Sequence, residues 1–225
     1  AYCSRNLAKS TGDVIHLAAG TYHIVQSLIL DKGVSVIGAS DDPAATVLDS
    51  DGTNRNINCH DGTSVRNLTM RNGYTAYYQG GAICRFSAGE TYIVSNCVVE
   101  GASALYWGGG GANGVWHDTV VRNCEVRMQG TDTNVWVDGN GGGVWGATLY
   151  NCTITNNAAG LAGGGVSGGT NHVNDACRAY NCLIGWNKAA FGGGAGVRGG
   201  TDSACCQLVG CTVVSNTVHS LAGYS

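Results

Sequence analysis

The chain is poor in charge, in proline and in long apolar runs. Asp, Glu, Lys and Arg make up 12% of its 225 residues, and the formal net charge is −3. That is about half the charged share of an ordinary globular chain. With no basic run beside it, the balance excludes the electrostatic footprint of a nucleic-acid binder. The single proline is Pro43. No apolar run reaches the roughly 18 residues a membrane-spanning helix needs, so no transmembrane segment is expected. Residues 1–10 lack the charged-then-apolar layout of a signal peptide, and the chain reads as a mature product or an excised piece.

Glycine and cysteine are abundant instead, with 37 and 11 residues, and 44% of the chain is hydrophobic. So much glycine without a collagen triplet implies disorder unless a regular apolar pattern runs beside it. Here one does. Asn-Cys recurs at Asn96-Cys97, Asn123-Cys124, Asn151-Cys152 and Asn181-Cys182, with Asn67-Leu68 before them and Gly210-Cys211 after. The key position thus falls at Leu68, Cys97, Cys124, Cys152, Cys182 and Cys211, in steps of 29, 27, 28, 30 and 29. Two residues on, every copy is apolar: Met70, Val99, Val126, Ile154, Ile184 and Val213. Three residues back stand Val65, Val94, Val121, Leu149, Ala179 and Leu208.

Strand side chains alternate faces with a period of two. The positions at key and key+2 share a face, whereas key−3 breaks that parity and is still apolar. The chain must therefore bend at the residue before the key position, where Asn tolerates the turn. Glycine-rich stretches (Gly80-Gly81, 108–111, 141–143, 163–165 and 192–194) supply further corners. Short strands and corners at a fixed period describe one coil of a solenoid, whose apolar faces are buried only by stacking.

The expected fold is all-β: a right-handed, single-stranded parallel β-helix of about 28 residues per coil and roughly seven to eight coils. Handedness follows from the rule for parallel crossovers. The whole chain, residues 1–225, is expected to form one domain. Residues 1–52 supply an N-terminal cap and first coils, residues 53–225 the regular repeats, with no evident C-terminal cap. The six key positions become an internal ladder. Arg71, Glu100 and Arg127, at key+3, become an outward ladder of alternating sign.

Two motifs carry a family resemblance. Gly80-Gly81-Ala82-Ile83 resembles the Gly-Gly-Ala-Ile motif of polymorphic outer-membrane-protein repeats. Asn151-Cys152-Thr153-Ile154-Thr155-Asn156-Asn157, leading to Gly163-Gly164-Gly165-Val166, resembles the repeats of large bacterial surface proteins with pectate-lyase-like β-helices. The stretches 12–22 and 34–38 look like the opening coil and next strand of that superfamily. The chain departs from the outer-membrane family in carrying Cys-Xaa-Ile/Val where that family has an aromatic partner motif. The resemblance implies the β-helix fold and leaves function open, because this scaffold carries lyases, hydrolases, adhesins and inert spacers alike.

No catalytic set, metal site or cofactor is assigned. Lyases of this superfamily use carboxylates that hold calcium, and hydrolases use paired aspartates on adjacent coils. The acidic residues here do not line up and read as solvated turn residues; the six histidines share no repeat position and have no evident partner. A linear cysteine ladder does not converge on a metal, so its members read as small buried hydrophobes. Cys177 and Cys206 each lie five residues before a key cysteine, which makes them neighbours on adjacent coils and a disulfide candidate. Cys3, Cys59, Cys84 and Cys205 have no assignment.

Tyr150, Tyr180, Trp116 and Trp145 are the candidate ligand-binding residues, with aromatic faces that could stack on carbohydrate. The chain also stops where another coil would begin, as expected either of a piece of a longer protein or of a subunit that self-associates end to end. The leading expectation is a secreted or cell-surface structural protein, non-enzymatic, acting as an adhesin-like scaffold or head-to-tail filament subunit. A polysaccharide lyase or glycoside hydrolase and a glycan-binding module are the alternatives.

Overall fold

The structure, a computed structural model, describes residues 11–76, 79–126, 139–168, 176–190, 194–199 and 206–218. Arg127, Trp136, His172, Asp132, Asp138, Asp175, Asp202, Cys3, Cys205 and the two chain ends lie outside these residues. The described chain is a β-solenoid with one turn of 3-10 helix, Pro43–Ala45. Among the described residues no helix is long and apolar enough to cross a membrane.

Each full coil passes through four sheets in a fixed order. Sheet one has eight strands, from Val14–His16 to Gln207–Val209, and sheet two has eight, from Gly20–His23 to Thr212–Val214. Sheet four follows with six short strands, from Tyr74–Thr75 to Thr217–Val218. Sheet three, with seven strands from Leu28–Leu30 to Val197–Arg198, completes the coil. Neighbouring strands are parallel, and each belongs to the next coil along the chain.

Residues in the left-handed region make the corners. Between sheets one and two these are Asn67, Asn96, Asp118, Asn151, Asn181 and Gly210, with φ from 46° to 64°. Five residues later, between sheets two and four, stand Asn72, Gly101, Asn123, Asn156, Trp186 and Ser215, at 53° to 62°. The first set is confined to Asn, Asp and Gly, the residues for which this conformation costs least. The second set is what creates sheet four, a segment the repeat pattern alone did not separate.

This second corner corrects the register of one coil. Val98 pairs with Thr69 on one side and with Val120 on the other, and Val120 pairs with Thr153. Cys97 is therefore followed in its column by Thr119, not by Cys124, and then by Cys152, Cys182 and Cys211. Corner-to-corner steps are 29, 22, 33, 30 and 29 residues. Asn123-Cys124 repeats the dipeptide of the first corner but stands at the second. Trp116, not Val121, takes the position opposite Val94 and Leu149, and Val121 takes the position opposite Val99 and Ile154.

The interior is a set of stacked columns. Sheet one contributes Val36, Val65, Val94, Trp116, Leu149 and Ala179, and sheet two contributes Leu48, Met70, Val99, Val121, Ile154 and Ile184, all buried. The Trp116 indole is accommodated because sheet three has Gly111 facing it: a Cβ there would lie 2.4 Å from Trp116 Cη2. The indole N–H donates to the Asn113 carbonyl at 2.7 Å, so its polar atom is paired inside the core.

A polar column runs beside the apolar ones. Asn187 Oδ1 accepts from the Asn157 backbone N–H at 3.0 Å, and its amide donates to the Ile154 carbonyl at 3.0 Å. Asn216 repeats this with Asn187 and Ile184. Asn157 does the same with Cys124 N and Val121 O. Each side chain thus satisfies backbone groups that the second corner takes out of the sheet ladder. Cys124 occupies the next position in this column.

Candidate functional site

The outward face of sheet one carries the aromatic candidates. In register across it stand Ser95, His117, Tyr150, Tyr180 and Val209. The rings of His117 and Tyr150 stack at 4.9 Å and 9°, and those of Tyr150 and Tyr180 at 5.0 Å and 11°. His117 is thus a third member that sequence spacing missed, because the shifted register of its coil hid its alignment.

The stack runs along the solenoid axis, so both faces of Tyr150 are covered by its neighbours. A sugar ring has no open Tyr150 face to lie against, and only one face of Tyr180 is outside the stack. The two tryptophans are corrected outright. Trp116 is fully buried in the core, and Trp145 is 4% exposed and stacked on Trp107 at 5.5 Å. Neither can present a face to a ligand. Among the described residues the most exposed indole is Trp186, 49% exposed at a second-corner position.

A groove of about 320 Å³ adjoins this sheet, with Arg85, Glu90, Asn113, Thr148 and Arg178 in its wall. Two guanidiniums there can pair with a carboxylate or sulfate. Glu90 is already engaged: His60 Nδ1 lies 2.9 Å from Oε1, and the Ser87 N–H donates to Oε2 at 2.8 Å. Burial raises the Glu90 carboxyl, but those bonds outweigh it and hold it below its ordinary value. A carboxylate paired in this way stays ionised near neutral pH.

The charged ladder lies on sheet two. Asp49 pairs in register with Arg71, Arg71 with Glu100, and Glu100 with Arg122. The second cation of the ladder is therefore Arg122 rather than Arg127, with its Nη2 2.7 Å from Glu100 Oε2. Asp49 is not a loop residue: it ends the strand Thr46–Asp49 and is buried. Its carboxylate accepts from Arg71 Nε at 2.8 Å, from Arg71 Nη2 at 2.6 Å, from Asn72 Nδ2 at 3.0 Å and from Asp51 N at 3.0 Å. Burial raises its carboxyl, and these four donors together hold it below the usual carboxylate range. With its lone pairs so occupied, Asp49 is a structural anion. His23, also without a partner on sequence grounds, sits 2.8 Å from Asp51.

Seven of the nine described cysteines fall into three environments. Cys97, Cys152 and Cys182 are buried in the column that begins at Leu68, and Cys211 is half-buried at its far end. The Cys152 N–H donates to Cys182 Sγ, and the Cys182 N–H to Cys211 Sγ, both at 3.4 Å. Burial pushes the Cys59 and Cys97 thiols up to about 12. Cys124 is buried in the asparagine column. Cys177 and Cys206 precede the paired strands Arg178–Tyr180 and Gln207–Val209, side by side, and both are thiols here. Among the described residues no three His, Cys, Asp or Glu side chains are grouped to hold a metal ion.

No protein-family model matches the chain, and no curated protein is similar to it in sequence. Among solved structures it is similar to the rice weevil pectin methyl esterase. The TM-score is 0.48 at 11% identity, over 92% of this chain and 83% of that one. At that identity the likeness is one of chain path. The chain is a parallel β-helix by its own strand topology.

Proposed function

We propose that this chain is a structural β-helical rod of a secreted or cell-surface protein, an adhesin-like scaffold or head-to-tail filament subunit that works through shape and stacking rather than catalysis. The observation that carries the reading is the last described coil. Its strands Gln207–Val209, Thr212–Val214 and Thr217–Val218 are outermost in their sheets, and the side chains that continue the core columns lie open, with Val213 48% and Leu208 40% exposed. An unpaired strand edge backed by apolar columns accepts another coil in register. The engagement of Asp49, Glu90 and Glu100 in pairs with their neighbours supports a framework role for those carboxylates.

The test is negative-stain electron microscopy of the purified protein over a concentration series, run beside assays on acidic polysaccharides. Thin fibres that lengthen with concentration are expected. Release of methanol or of an unsaturated uronate from pectin would overturn the reading in favour of an enzyme of the superfamily.

A further inference from the structure

One pair of thiols stands apart from the rest. Cys177 and Cys206 each directly precede strands that pair in register, and the Gln207 N–H donates to the Cys177 carbonyl at 2.9 Å. Parallel neighbours lie about 4.8 Å apart, inside the separation that a disulfide spans. Cys177 is fully buried, whereas Cys206 is half-buried and reaches solvent, with its Sγ 2.8 Å from the Arg198 carbonyl. The column cysteines differ. Cys182 and Cys211 have their sulfurs occupied by backbone N–H groups of the preceding coil, and Cys152 and Cys182 are sealed in the core.

We propose that Cys177 and Cys206 form a disulfide between adjacent coils, made by exchange with a low-molecular-weight disulfide and tying the outermost described coil to the one before it. The Cys206 thiolate attacks one sulfur of the small disulfide, forming a mixed disulfide and releasing one thiolate. The Cys177 sulfur then attacks Cys206 Sγ and expels the second small thiolate, which takes the Cys177 proton. Two protein thiols are oxidised and one small disulfide is reduced to two thiols. The asymmetry of the pair fits these roles. The Cys177 thiol hydrogen-bonds to the Cys206 sulfur, which holds the Cys206 thiol below its ordinary value and Cys177 well above it. The accessible sulfur is thus the attacking one and the buried sulfur the resolving one.

The clasp closes a loop that contains the whole of one coil, so it acts on the edge that the rod reading leaves open. It does not depend on that reading, since an enzyme on this scaffold would carry it equally. The test uses the full chain, reduced and then exposed to oxidised glutathione, followed by alkylation and non-reducing peptide mapping. The expected result is a linked peptide pair, lighter by about 2 Da than its two thiols, with fragment ions that place the bond at Cys206 and not at Cys205. Cys206→Ser removes the link and Cys205→Ser keeps it. Oxidation slows proteolysis within residues 207–218 by at least about 10-fold, and reductant reverses this. Full alkylation of both thiols after oxidation, a glutathione adduct that persists on Cys206, or a link from either residue to another cysteine would each overturn the proposal.

Discussion

At the scale of single residues, the molecule distinguishes positions that look alike in sequence. Cys124 resembles the other Asn-Cys cysteines yet sits where the following coils have Asn157, Asn187 and Asn216. An asparagine there would reach the Val99 carbonyl, as Asn157 reaches Val121. Cys124→Asn is therefore expected to hold or raise stability, by up to about 1 kcal/mol for the added bond. Cys152→Asn, which buries an unmatched amide in the apolar column, should cost about 1–3 kcal/mol. Urea titration of the two variants separates them, and equal losses would mean that the two columns are not distinct. Trp186 makes a second case. A bulky residue at φ 56° is strained, and relief by Trp186→Asn should stabilise the chain by about 1 kcal/mol. A loss of stability would mean that the indole packs against something that outweighs the strain.

Asp49 sets a pH dependence at the same scale. Its folded carboxyl is held below its ordinary value, so its stabilising contribution is complete above the unfolded value near 3.9. It is lost as pH falls through the lower folded value. Arg71→Ala removes two of the four donors and should destabilise by about 1–3 kcal/mol near neutrality. The gap between wild type and variant should close in strong acid. Thermal melts from pH 7 to pH 2 follow this directly, and a gap that stays constant would remove Asp49 as the group responsible.

At the scale of elements, the coil was legible in the sequence because its constraints are local. Asparagine before the key position marks a left-handed corner at Asn67, Asn96, Asn151 and Asn181, and apolar residues on either side mark the inward faces of two strands. The second corner was less legible because its residues are chemically mixed, with Trp186 and Ser215 among them. One coil was misread because Asp118-Thr119 replaces the Asn-Cys of the first corner while Asn123-Cys124 imitates it at the second. The consequences for the site were direct. Trp116 moved from the surface to the core, and His117 joined the tyrosine stack. Spacing alone could not have shown that the stack covers the ring faces it would offer to a sugar, because that depends on side-chain rotamers. Gly111 tests the revised packing. Gly111→Ala places a methyl against the Trp116 ring and should cost about 1–3 kcal/mol. The pair Gly111→Ala with Trp116→Leu should lose less than the sum of the two single changes. Strict additivity in a double-mutant cycle would mean that the two residues do not share the space.

At the scale of the whole molecule, stacking leaves the last described coil covered on one side. An interior coil buries its apolar columns against neighbours on both sides, whereas the last described coil buries them on one. Val213 shows the difference: it continues the column of Val99, Val121, Ile154 and Ile184, all fully buried, yet is itself 48% exposed. Such an edge is a template for pairing unless charge blocks it. Val213→Lys places an ammonium in line with the core column, where a following coil would have to bury it without a partner. Solvent still reaches that position in the isolated chain, so the fold itself should lose less than about 1 kcal/mol. A coil stacked upon it would face a penalty of several kcal/mol. The variant should therefore melt close to wild type and sediment as single rods at concentrations where wild type forms fibres. Fibres of undiminished length from the variant would place the contact elsewhere on the rod and remove the open coil as the basis of assembly.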